Sequence, residues 1–201
     1  AFAAACSSVP TAGAPTPRPS LQTQLEALAS PFHGKVGIYV RHLVTGEEAA
    51  IAADDTFPTA SMIKVPILGA LLAKVDRGEL DYHQDLTYTK NRLYAGEDLL
   101  GAFAEGEKVV LAKVAMLMIT TSDNTAALWC QELAGTGTAI NEWLAAQGMT
   151  TTRVNSRTPG REAARTQFGW GQTSPREMAE LLVQMRKGTF GTPAASEEAL
   201  R

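Results

Sequence analysis

Cysteine is scarce in this chain. Two in 201 residues are too few for a disulfide framework. The three histidines, His33, His42 and His83, are scattered. They show no metal-ligand spacing, and nothing in their placement favours a Ser-His-Asp triad, so surface positions are expected. An excess of one charge is also missing. The 18 Lys and Arg against 21 Asp and Glu leave a net charge of −3. That gives no basic stripe for nucleic acid or an anionic membrane. Long apolar runs are absent too. The longest, Val65 to Val75, is broken by Pro66, Gly69 and Lys74, and reads as a core helix rather than a bilayer span. What remains is an ordinary globular composition, 45% hydrophobic and 19% charged. It is long enough to bury a sizeable core as one domain or two lobes.

The two cysteines read differently. Cys130 ends Ala126-Ala127-Leu128-Trp129-Cys130 on an expected buried helix, where an inert thiol is the simpler reading. Cys6 follows Ala3-Ala4-Ala5, in a chain that begins with Ala1, and precedes a tail carrying Pro10, Pro15, Pro17 and Pro19. This resembles a bacterial lipoprotein cleavage site. The plainer alternative is an ordinary signal-peptide remnant with an incidental cysteine. Both readings point to export, to the periplasm or cell envelope. Residues 1–19 are therefore expected to be a flexible tether and residues 20–201 the working domain.

Periodicity predicts a helix over Leu21–Leu28, a hairpin of strands Gly34–Leu43 and Glu47–Ala52 around Thr45-Gly46, and a helix over Ser61–Arg77 ended near Gly78. Pro66 should bend that helix or delay its start. Further helices are expected over Val109–Ile119, Thr125–Leu133, Ala139–Ala146 and Pro175–Lys187, the last with proline in its first turn. Ser196 looks like the cap of one more helix. Between them, residues 150–173 read as a long polar loop, and loops of that length in compact domains are usually functional.

Two motifs carry chemistry. In Ser61-Met62-Ile63-Lys64 the serine and lysine share a helix face. A serine hydroxyl is a poor nucleophile, and an amine of lowered pKa can take its proton. Lys64 precedes Val65-Pro66-Ile67-Leu68, so burial should depress its pKa. The plainer reading is a capping serine beside a solvated lysine. Ser122-Asp123-Asn124 lies between two apolar helices. Capping alone accounts for Ser122 or Asp123 but not well for the whole triplet.

Taken with Phe57-Pro58-Thr59-Ala60, with Thr120-Thr121 and Thr125-Ala126 around the triplet, and with Thr173-Ser174-Pro175-Arg176-Glu177-Met178, these motifs resemble class A serine β-lactamases in order and spacing, from about Leu21 to Gly188. Other penicillin-interacting enzymes share the first motif but usually differ at the second. The resemblance implies an α/β architecture, an all-helical lobe (about 61–188) beside a sheet lobe, with the site between them. It implies that Ser61 is acylated by a β-lactam carbonyl, with Lys64 as its base, Ser122 relaying a proton to the leaving nitrogen and Asn124 orienting the substrate amide. Tyr94 resembles the aromatic residue at the site entrance; a surface tyrosine is the alternative.

The chain departs from the family in three places. Where the loop normally carries a glutamate before proline, this chain has Thr158-Pro159. A threonine hydroxyl does not ionise near neutral pH and cannot act as a general base. Thr158 stays as a substrate-side residue, and Glu162 is the expected replacement base, unless it merely pairs with Arg157, Arg161 or Arg165. Asn155-Ser156 stands where an acid and an arginine are common, which removes the usual ion pair at the loop neck and predicts a looser loop. No Lys-Thr-Gly or Lys-Ser-Gly follows, since Lys187-Gly188-Thr189 is too early and misordered. That strand would complete the oxyanion hole, where one donor contributes about 3–4 kcal/mol. A truncated chain lacking C-terminal sheet strands is expected, with exposed strand edges.

The resemblance implies no cofactor and no metal. The expected partner is a small-molecule β-lactam or a related amide or ester. A lipid anchor at Cys6 is one of the two export readings, nucleic acid is not expected, and the chain is expected to be monomeric. A protein that is acylated and stays acylated, as a penicillin-binding or sensor protein does, is the competing expectation, as is a hydrolase for a non-β-lactam amide or ester.

Overall fold

Val65 to Ala73 is apolar on almost every side of a helix, so a helix formed there has no face to give to water. The computed structural model, which describes residues 19–94, 96 and 98–201, puts this helix at the centre. In chain order the elements are α1 (Leu21–Ala29), β1 (Ile38–Arg41), β2 (Glu48–Ile51), β3 (Phe57–Pro58), α2 (Lys64–Asp76), β4 (Asp85–Thr87), β5 (Lys108–Val110), α3 (Leu111–Thr120), α4 (Asn124–Leu133), α5 (Thr136–Ala146), β6 (Arg153–Val154), α6 (Glu162–Phe168), β7 (Gly171–Thr173), α7 (Pro175–Lys187) and α8 (Pro193–Leu200). The expected signal remnant and Cys6 lie outside the described residues.

Helices α3, α4, α5 and α8 pack around α2. Ile67, Leu71, Leu111, Val114, Met118, Ile140, Leu144, Leu181 and Phe190 are completely removed from water, or nearly so. Each such side chain stabilises the fold by about 1.5–3 kcal/mol. Gly69 allows a close approach. A Cβ there would lie 2.3 Å from the Phe190 ring and 2.4 Å from that of Trp143.

Among the described residues three small antiparallel sheets accompany the helices. β1 pairs with β2 in register Ile38 to Ile51, with α1 against β2 and α7 against β1. Among the described residues this hairpin has no third strand. β4 pairs with β5. The third sheet, in the order β3-β7-β6, ties the segment entering the first motif to the segment leaving the polar loop.

Several boundaries differ from expectation. The helix expected from Ser61 opens as a 3-10 turn, Ala60–Ile63, and becomes α-helical only at Lys64. This is the late start that Pro66 imposes, since proline fits only a first helical turn. Val109 and Val110 belong to a strand, because Asp85–Thr87 offers them a ladder. α5 begins at Thr136, after the left-handed Gly135. α8 is capped by Thr192, not Ser196, whose side chain turns back to Thr192 O and Phe190 N. Residues 150–173 are not a structureless loop: they contain β6, α6 and β7.

Candidate active site

The reacting groups sit where two elements begin. Ala60 takes φ +45° and Ser122 takes φ +59°, left-handed values that non-glycine residues adopt at a cost of roughly 1–2 kcal/mol. The first turns the chain sharply into the helix carrying Ser61 and Lys64. The second aims both the carbonyl and the hydroxyl of Ser122 at Lys64. Asp123 then caps α4, its Oδ1 accepting from Ala126 N at 2.7 Å and its Oδ2 from Leu100 N at 2.9 Å. That cap fixes the Ser122–Asn124 segment against α2.

Lys64 is 2% exposed. Its Nζ lies 2.5 Å from Ser122 O, 2.8 Å from Ser122 Oγ, 2.9 Å from Asn124 Oδ1 and 3.3 Å from Ser61 Oγ. The Ser122 hydroxyl donates to Ser61 Oγ at 2.9 Å. Burial pulls the Lys64 amine below its ordinary range, against an opposing upward pull from the carboxylates of Asp98 and Asp123. The Ser122 carbonyl and the Asn124 amide oxygen can only accept, so they take two N–H bonds. The third position on the nitrogen holds either a proton or the lone pair, and it faces the two hydroxyls. A neutral amine in this setting can withdraw a proton from serine.

Ser61 itself is exposed, in a cavity of about 200 Å³ lined by Ala60, Ser61, Tyr94, Asn124 and Trp170. The structure therefore gathers Ser61, Lys64, Ser122, Asn124 and Tyr94. Trp170 joins them without any sequence signal. It follows Gly169 in a short turn, and only the β3–β7 pairing carries it back to Ser61.

Thr158 and Glu162 are elsewhere. Thr158 is buried, donating to Ser156 O at 3.0 Å and packing on Gly137, where a Cβ would lie 1.8 Å from its Oγ1. Glu162 is exposed at the start of α6 and accepts from Gly160 N at 3.1 Å. Both line a second cavity of about 290 Å³ with Asn155, Arg157, Pro159 and Arg165, which has no residue in common with the Ser61 cavity. The loop neck is held by a different device from an ion pair. Arg161 bridges Asn155 Oδ1 at 3.0 Å and Gln172 Oε1 at 2.7 Å, while Asn141 makes paired hydrogen bonds with the Val154 backbone. Cys130 is fully buried, and burial followed by the charge of Asp123 pushes its thiol up to about 12, so it is inert. Among the described residues no cluster of His, Cys, Asp and Glu is placed to hold a metal ion.

The model of the Beta-lactamase enzyme family matches residues 20–201. Over 150 residues the chain is 29% identical to Beta-lactamase AER-1 of Aeromonas hydrophila, covering 72% of this chain and 49% of that protein. A solved mutant of PBP-A, an acyl-enzyme complex with penicillin-G, superposes with a TM-score of 0.78 at 29% identity, over 89% of this chain and 66% of that one. An ancestral class A β-lactamase gives a TM-score of 0.75 at 28% identity, over 90% and 69%. The chain thus spans about half the length of the Aeromonas protein and about two thirds of each solved chain.

Proposed function

The chain belongs to the class A serine β-lactamase family, and from that premise we propose that Ser61 attacks the amide carbonyl of a β-lactam ring and that water then releases the acyl group. The observation that carries this reading is the hydrogen-bonded array of Ser61, Lys64 and Ser122. Neutral Lys64 takes the Ser61 proton as Oγ bonds to the carbonyl carbon. When the ring C–N bond breaks, Ser122 gives its proton to the departing nitrogen and regains one from Lys64. Asn124 keeps an amide N–H₂ for the substrate, since its Oδ1 is held by Lys64.

For release, Glu162 is the proposed base. It is the only acidic residue between positions 150 and 173, so a base drawn from this segment must be Glu162, after it leaves Gly160 N. One observation favours a second reading, a protein that stays acylated. Among the described residues no carboxylate lines the Ser61 cavity, and Thr158 is turned towards Gly137. Nitrocefin turnover followed beside intact mass separates the two. Steady hydrolysis with little adduct supports the hydrolase, and a persistent adduct without turnover supports the binder. Neither adduct nor turnover contradicts both.

Export is proposed on the Ala3-Ala4-Ala5-Cys6 segment and the proline-rich stretch after it, with lipid attachment at Cys6 as the stronger form. Turnover in the cell envelope would protect a cell from β-lactams. Fractionation of expressing cells tests this. Recovery in the periplasmic or membrane fraction supports export, and recovery only in the cytoplasm contradicts it.

A further inference from the structure

We propose that Trp170 is a specificity-determining residue, forming with Tyr94 an aromatic wall that holds a flat apolar acyl substituent of the donor while Ser61 is acylated. This rests on the acyl-transfer reading of Ser61. Of the five described residues lining the Ser61 cavity, Ser61 supplies the nucleophile, Asn124 is tied to Lys64, and Ala60 is a small turn residue. The remaining lining is two aromatic rings. Their centroids lie 5.2 Å apart with planes at 82°, the edge-to-face arrangement in which one ring's positive edge meets the other's negative face.

The wall is fixed to the elements that carry the reacting groups. The carbonyl of Trp170 accepts from Asn155 N at 2.8 Å and Ser156 N at 3.0 Å. The next carbonyl, Gly171 O, accepts from Thr59 N at 3.0 Å, two residues before Ser61. On the other side, Tyr94 N donates to Thr125 Oγ1 at 2.9 Å, and Thr125 directly follows Asn124. Asp98 holds Thr125 in turn, accepting from its N at 2.7 Å and its Oγ1 at 2.9 Å. The backbone bearing each ring is therefore tied to the elements that carry the nucleophile and the substrate amide, and the two rings support one another edge to face, which favours a preorganised wall for an aromatic group.

The test compares acylation of Ser61, by intact mass, with benzylpenicillin, which has a phenyl-bearing acyl group, and with 6-aminopenicillanic acid, which lacks it. Unchanged melting temperature controls for folding in Trp170→Ala and Trp170→Phe. Trp170→Ala is expected to lower the benzylpenicillin rate relative to the 6-aminopenicillanic acid rate by about tenfold, and Trp170→Phe to restore most of the ratio. An unchanged ratio in Trp170→Ala, or an equal fall in both rates, overturns the inference while leaving acyl transfer intact. If the unsubstituted protein is acylated by neither donor, the acyl-transfer reading itself fails and this inference fails with it.

Discussion

Lys64 Nζ lies 2.8 Å from Ser122 Oγ, nearer than to the Ser61 Oγ it is asked to activate at 3.3 Å. The two hydroxyls are themselves joined at 2.9 Å. A proton leaving Ser61 thus has a direct route to the amine and a second through Ser122 once that hydroxyl turns from Ser61 to donate to Lys64, and Ser122 is also placed to feed the leaving nitrogen.

Ser122→Ala should remove the relay without removing the nucleophile. Acylation by a β-lactam is expected to slow by about 100-fold, the lower range for one positioned acid–base group, with the adduct still on Ser61. Stopped-flow or quenched mass measurements check this, and an unchanged rate counts against the relay.

The Lys64 amine sets a pH dependence. Its pKa is lowered, first by burial, so the reactive neutral form is populated at lower pH than for a free lysine. The acylation rate should rise with pH through that lowered value, with a midpoint below 10.5, the ordinary lysine value. Lys64→Arg, always charged, should abolish the rise and nearly all acylation. A flat pH profile in the unsubstituted protein would argue against Lys64 as the base.

Glu177 clamps the chain ahead of β6. Its carboxylate accepts from the backbone N–H of Thr150, Thr151 and Thr152 at 2.7, 2.9 and 2.6 Å, and from the hydroxyls of Thr150 and Thr152. Burial raises its pKa, but these bonds outweigh it and the net shift is downward. A folded value below the unfolded one means the stabilisation is present above the unfolded pKa and lost as pH falls through the folded one. Glu177→Gln should cost about 1–3 kcal/mol at pH 7 and flatten the loss of stability below roughly pH 4. Urea unfolding at both pH values reads this.

Gly137→Ala should collide with Thr158 Oγ1, 1.8 Å from the added carbon. A loss of about 1–3 kcal/mol is expected, with faster proteolysis within residues 155–161. Thr158→Ala in the same chain should recover part of both effects, a coupling that a double-mutant cycle measures.

The gathering of Ser61, Lys64, Ser122 and Asn124 was legible in the sequence because its parts are local. Ser61 and Lys64 share a helix face by spacing alone, and Ser122, Asp123 and Asn124 are consecutive. The α7 limits, Pro175 and Lys187, were read with proline in the first turn, and the structure adds the Ser174 cap at the start and the left-handed Gly188 at the end. What the sequence hid depends on distant partners. Val109 and Val110 continue an apolar helical pattern, and only Asp85–Thr87 makes them a strand. Residues 150–173 read as a loop because α6 buries no residue and so carries no apolar stripe, while β6 and β7 are too short to show alternation. Ser174 and Glu177 have the spacing of a capping box, yet the Glu177 carboxylate reaches Thr150–Thr152 instead. Trp170 sits between two glycines, in no motif, and its place beside Ser61 is a product of the sheet.

Ser61 Oγ is the atom expected to be acylated. Peptide-level mass spectrometry after brief exposure to benzylpenicillin tests it most directly. One added penicilloyl mass is expected on the peptide containing Ser61, and none on a Ser61→Ala chain of the same melting temperature. An adduct of equal yield in Ser61→Ala, or one mapped to another residue, would contradict it.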